Sequence, residues 1–268
     1  MQTMEMAELV NSGRPMSRDE ARAAADWLTG LARERWTELV THGRFMRALR
    51  AGELPLDALR LFWANNYVFV AELNNLMGIS FHRYNWWFKQ RPEFLAAYAD
   101  KIADELTHPR PPGHVQIVLE QGRIFGLTDE QMVHCQMLPA CRAALEWRRA
   151  MAYEATMAER WAQHCNEQNI GHWSREMRAA LTEHYGFTDE QLPYFRTHEE
   201  ADLQEHDGIM AHGEFNRRVL EAILMEGTGP IRPGYRLEYV TLVSVDFNAM
   251  FYEGVYREAV GETRYGWR

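Results

Sequence analysis

Apolar residues recur at three- and four-residue steps along nearly the whole chain, which is the spacing of helices that each bury one face. Residues 17 to 42 open with Ser-Arg-Asp-Glu, a helix start signal, and then carry that period through SRDEARAAADWLTGLARERWTELVTH. Residues 56 to 89, LDALRLFWANNYVFVAELNNLMGISFHRYNWWFK, are apolar on most of their circumference, so a central helix surrounded by others is expected there. Further helices are expected at about 92–107, 114–125, 128–136, 139–168, 173–185, 189–224 and 237–261. The β-rich piece YVTLVSV (239–245) lies inside a longer apolar stretch and reads as helix. The pattern predicts an all-α fold.

Two corners nearly repeat, FGLTDEQM at 125–132 and YGFTDEQL at 185–192. In each, a glycine suits the left-handed residue that ends one helix, and Thr128 with Gln131, or Thr188 with Gln191, forms a capping box for the next. The proline-rich segments HPRPPG (108–113) and GTGPIRPG (227–234) are short enough to be loops within one unit, so a single domain over residues 1–268 is expected. Residues 1–16 are expected to be a poorly ordered N-terminal segment.

Composition narrows the function. The formal net charge of -9 argues against nucleic acid, whose binding is driven by basic patches and counterion release. No run approaches the ~18 apolar residues of a membrane span. The three cysteines, Cys135, Cys141 and Cys165, lack zinc-knuckle spacing and read as reduced thiols in a cytoplasmic protein. A small-molecule substrate is the expected partner.

Chemistry concentrates in HEEADLQEH, residues 198–206, which holds six potential ligands and no Lys or Arg. On a helix of 3.6 residues per turn, His198, Asp202 and Glu205 fall within about 60° of one another, and His206 widens that arc to about 100°. Imidazole mixed with carboxylate suits iron, manganese or zinc. Glu72 interrupts the most apolar stretch of the chain, and a buried carboxylate there needs a positive partner or a proton. It reads equally as a ligand or as a carboxylate hydrogen-bonded within the core. Glu105, His114 and Glu167 each read singly as a solvated residue or a helix cap.

Taken in order, Glu105, His114 at the head of a helix ending in FGL, Glu167, and then HYGFTDEQLPYFRTHEEAD resemble the heme-oxygenase-like diiron oxidases. Relatives of that family include pyrroloquinoline-quinone synthase, thiaminase II and the chlamydial protein associating with death domains. The resemblance spans roughly residues 35 to 262. It implies a bundle of about seven core helices plus an N-terminal helix, enclosing two iron(II) ions that activate O2 to oxidise a small organic substrate. N-oxygenation, oxidative decarboxylation, desaturation and carbon-carbon cleavage are the outcomes it implies, and relatives are commonly dimers, the sole support for a homodimer.

Carried over residue by residue, Glu105, His114, Glu167, His198 and Asp202 match the family's ligands. Glu72 matches an additional carboxylate, and with Glu105 it is the expected catalytic pair. The family pattern H-x-x-x-D-x-x-H puts Glu205 in the last place and leaves His206 one residue late, so both stand as candidates. Glu154 and Glu159 are rivals of Glu167 in other registers, and His108 is a rival of His114. No heme is expected: the first histidine, His42, ends a helix and is followed by Gly43. Cys141 and Cys165 lack the flanking pattern expected of a thiaminase nucleophile. Arg83, Arg142, Arg148 and Arg149 are basic residues that could meet a substrate carboxylate, and no role is assigned among them. A metal-free oxidase resembling pyrroloquinoline-quinone synthase and a non-catalytic helical interaction protein are the competing readings.

Overall fold

A computed structural model of the chain describes residues 3–108, 110–204 and 210–265. Every regular element among them is helical, as the periodicity predicts. The long helix α4 (Leu56–Phe88) runs through the middle, with Leu59, Phe62, Trp63, Leu76 and Phe88 essentially inaccessible to water. Around it pack α2 (Arg18–Trp36), α3 (Arg44–Arg50), α5 (Pro92–Thr107), α6 (His114–Ile124), α7 (Asp129–Val133), α8 (Pro139–Glu154), α9 (Met157–Gln163), α10 (Glu167–Tyr185), α11 (Pro193–Leu203), α12 (His212–Glu226) and α13 (Leu237–Ala259). No helix among the described residues is long and apolar enough to cross a membrane.

The local signals explain most boundaries. Ser17 accepts from the backbone of Glu20 and Glu20 returns the bond, so α2 starts at its capping box. Both Thr-x-x-Gln boxes form, and Gly186 takes the left-handed conformation that ends α10. YVTLVSV is helical, inside α13.

Three expectations need correction. Residues 3–10 form a helix, α1 (Thr3–Val10), with Met6 and Val10 buried, where a poorly ordered segment was expected; Asn11 at its end bonds Glu238 and the backbone of Leu237. The helix expected over 139–168 breaks at Ala155, because Thr156 and Glu159 make another capping box that begins α9. The helix expected over 189–224 is three elements, a 3-10 turn at Asp189–Gln191, α11 and α12, and the break between the last two has the largest effect on the site.

Candidate metal centre

Lys101, Asp104 and Glu105 sit three and four residues apart and therefore share the inner face of α5. Gly113 sets the next donor against them. Its φ of 70° is open to glycine, and a Cβ there would stand 2.1 Å from the carbonyl oxygen of Glu105. The chain can thus turn tightly after α5 and start α6 with His114 facing the residue it needs. His114 Nδ1 lies 2.7 Å from Glu105 Oε2, and His114 Nε2 lies 3.8 Å from Asp104 Oδ2.

A second glycine brings α10 and α11 together. A Cβ at Gly171 would come within 2.7 Å of Leu203 and 3.0 Å of Asp202, so only hydrogen allows that approach. Glu167, one turn before Gly171 on the same face, is thereby brought near Asp202. His212, the first residue of α12, completes the group: its Nδ1 is 3.4 Å from Asp202 Oδ1 and 3.9 Å from Glu167 Oε1, and its Nε2 is 3.7 Å from Asp104 Oδ2. One ligand atom from each of Glu167, Asp202 and His212 lies within 4.8 Å of the others. His198, one turn before Asp202, stacks on Tyr194 with ring centroids 4.0 Å apart and lies 4.8 Å from the His114 ring.

Glu105, His114, Glu167, His198 and Asp202 therefore converge from four helices. Glu72 does not join them. On α4 it falls about 200° round the helix from Val70, which lines the cavity. Its carboxylate instead meets Arg149 Nη1 at 3.2 Å and Asn75 at 3.1 Å. The rivals also resolve: buried Glu159 pairs with Arg232, while Glu154 and His108 are exposed. Glu205 and His206 lie outside the described residues. The sequence reading missed His212, Asp104 and Lys101. A helix run through residues 205–211 hid His212, whereas the face Tyr98, Lys101, Asp104/Glu105 offered a readable signal for the other two.

Burial and close packing shift the protonation of these groups. Burial raises the Glu105 carboxyl, but His114, with His212 and His198 behind it, holds it at about 2. Against its own desolvation, His114 is raised by Glu105 and so stays protonated more readily. Asp202 is pushed up to about 8 by burial and then by Glu167, so it carries a proton at neutral pH. Burial and then Lys101 bring His212 down to about 4, which leaves a neutral imidazole. Glu167 stays ionised despite burial because Lys101, His164 and Asn216 all contact it. Asp104 Oδ2 and His212 Nε2 are buried with no hydrogen-bond partner, and both His114 ring nitrogens lack an aligned one. Orphaned atoms of this kind are costly unless something else satisfies them. A mixed oxygen and imidazole set with such orphans fits a divalent transition metal.

Lys101, Glu105, Glu167, His198 and Asp202 line a cavity of about 160 Å³ whose wall also includes Phe62, Phe69, Tyr98, Trp161, Trp173 and Tyr252. Of the aromatic residues near the ligands in sequence, Trp63 and Phe195 belong to the core and Trp86 is exposed. The profile of the TENA/THI-4/PQQC family matches residues 31–206. The chain belongs to this family. Among solved structures, a TenA homolog from Pseudomonas syringae pv. tomato str. DC3000 is similar at 15% identity and a TM-score of 0.66, covering 90% of this chain and 95% of that one. A TenA homologue from P. horikoshii OT3 is similar at 17% identity and a TM-score of 0.59, covering 87% and 97%. Both likenesses concern the fold. No curated protein matches the chain.

Within the TENA/THI-4/PQQC fold of this chain, none of the three cysteines lines the cavity. Burial pushes the Cys165 thiol up to about 12 and raises Cys141 well above its ordinary value, so neither is a ready thiolate.

Proton competition gives a prediction. Asp202 is raised above its unfolded value and so is His114, so their contributions to stability are lost as pH rises through the folded values. His164 and His212 are lowered, and they influence stability only below the unfolded histidine value of about 6.5. Between about pH 6.5 and 8.5 the metal-free protein should therefore lose thermal stability. A bound divalent metal, which displaces the same protons, should stabilise progressively more across that window. Thermal melts with and without Mn(II) at both pH values test this, and a constant metal effect would contradict it.

Proposed function

We propose that the chain is a non-heme diiron oxidase that uses O2 to oxidise a small organic substrate. The supporting observation is the convergence of Glu105, His114, His198, Glu167, Asp202 and His212 beside an aromatic-walled cavity, with buried ligand atoms left unpaired. Glu105, His114 and His198 would hold one iron and Glu167, Asp202 and His212 the other, Asp202 lying between the two groups. Two irons supply the electrons for reducing O2 together, and anionic oxygen ligands favour their oxidised state.

The rest is work for the chain's own residues. His198 Nδ1–H donates to the backbone carbonyl of Tyr194 at 2.9 Å, which fixes the tautomer and leaves the Nε2 lone pair for a metal. Lys101 places its ammonium against Glu167, neutralising a buried carboxylate. Asp202 holds a proton on its carboxyl that a cation must expel. Trp161, Trp173 and Tyr98 exclude water from the reacting end, which strengthens every charge interaction inside.

A metal-free oxidase resembling pyrroloquinoline-quinone synthase has one observation in its favour, the cations Arg148 and Arg160 in the cavity wall. The buried carboxylates and imidazoles left with unpaired ligand atoms favour the metal reading over it. Loading with Fe(II) without oxygen, followed by metal analysis, separates the readings. About two irons per chain and a transient absorption band on admitting O2 are expected. Fewer than one iron per chain under saturating Fe(II) would exclude the diiron proposal.

A further inference from the structure

The cavity wall also carries two buried guanidiniums that suit an anion. Arg148, on α8, is 8% exposed, and among the described residues its one hydrogen-bond acceptor is Asn248 Oδ1 on α13, at 3.3 Å from Nη2. Arg160, on α9, is 4% exposed and donates to Ser80 Oγ at 3.0 Å and to Gln163. No carboxylate among the described residues pairs with either guanidinium, although buried arginines are normally paired. The carboxylates nearest them in sequence are taken elsewhere, Glu159 by Arg232 and Glu146 by Arg142 and Arg149.

The two guanidiniums also act on each other. Arg148 is brought down to about 10 by burial and next by the charge of Arg160. Two cations facing one dry cavity are a standing repulsion that an anion between them would remove. The wall around them offers further donors without acceptors: Asn166 Nδ2, Trp161 Nε1, and Asn248 Nδ2, whose amide orientation is set by the bond its oxygen takes from Arg148. The same cavity is lined by apolar residues as well, Phe62, Phe69, Val70 and Met77 among them.

We infer that Arg148 and Arg160, with Asn248, form the subsite that anchors the carboxylate of the substrate, an apolar-bodied monocarboxylate whose other end reaches the Glu and His ligands. Calling this ligand the substrate rests on the oxidase reading; the binding itself does not. Arginine suits the task because its planar fork meets a carboxylate with two parallel bonds. The guanidiniums then fix the orientation of the ligand, since its anionic group is drawn to them.

The test uses metal-free protein and calorimetric titration with octanoate and 3-phenylpropanoate, each against its uncharged amide. The acids are expected to bind at least about 10-fold more tightly than the amides, from charge-assisted bonds that the amides cannot make. Arg148→Met should abolish that preference. Asn248→Asp should do the same in a folded protein, because its carboxylate would occupy Arg148 from within, while the amides bind as before. Absence of acid binding, equal binding of acid and amide, or a preference that survives Asn248→Asp would overturn the assignment. Iron loading of the same samples reports on the oxidase reading separately, so either proposal can fail alone.

Discussion

His212→Ala is expected to lower the iron content after anaerobic loading from about two to about one per chain and to reduce O2 consumption at least 100-fold. His212 is 1% exposed, and its ring is wedged among Asp104 and the two carboxylates of the second group, Glu167 and Asp202. Burial keeps it neutral, which is the form that binds a metal, and its Nε2 has no other partner. Losing an outer-shell partner typically costs 10–100-fold in metal affinity or activity, so losing a ligand should cost at least as much. Since the alanine removes a neutral group and strands no charge, the fold should tolerate it with about 1–2 kcal/mol of lost stability. Circular dichroism and a thermal melt check that point. His206→Ala is the informative companion, since His206 and Glu205 are the last ligands that the sequence pattern suggests. Iron retained in His212→Ala but lost in His206→Ala would reverse the assignment made here.

The helical class was legible because apolar spacing reports directly on which residues are buried, and corner chemistry such as Thr128 with Gln131 is local. Glu105, His114, Glu167, His198 and Asp202 were legible only through a motif order, since no single spacing brings four helices together. Glu72 misled for a definite reason: an apolar neighbourhood in sequence says that a helix is buried on several sides, but not that every position is. At residue 72 the helix turns to Arg149. His212 was hidden by the opposite error, a helical period extended across residues that end one helix and precede another. Lys101 was missed because a lysine is ordinarily read as solvated, whereas here it is 5% exposed and spent on a carboxylate.

Lys101→Met should have two opposite effects, and their combination is diagnostic. In the metal-free protein Lys101 is the main cation against Glu167, and it also presses on the His212 imidazole. Removing it leaves Glu167 with only His164 and Asn216 in a buried site, and breaking one partner out of a buried pair costs about 3–5 kcal/mol. Chemical denaturation of the metal-free variant should show a loss of that size, reduced to the extent that Glu167 takes up a proton. In the metal-loaded protein the sign changes. A divalent ion at Glu167 must displace or repel the ammonium, so Lys101 opposes loading, and without it the metal should bind more tightly by about 10-fold or more and restore much of the lost stability. Mn(II) titration of both proteins measures this directly. If Lys101→Met bound Mn(II) more weakly than the parent chain, Lys101 would not be an internal counter-ion holding the place of a metal. Glu167 would then belong to a permanent structural ion pair, and the second group of ligands would have to be built from Asp104, Asp202 and His212 alone.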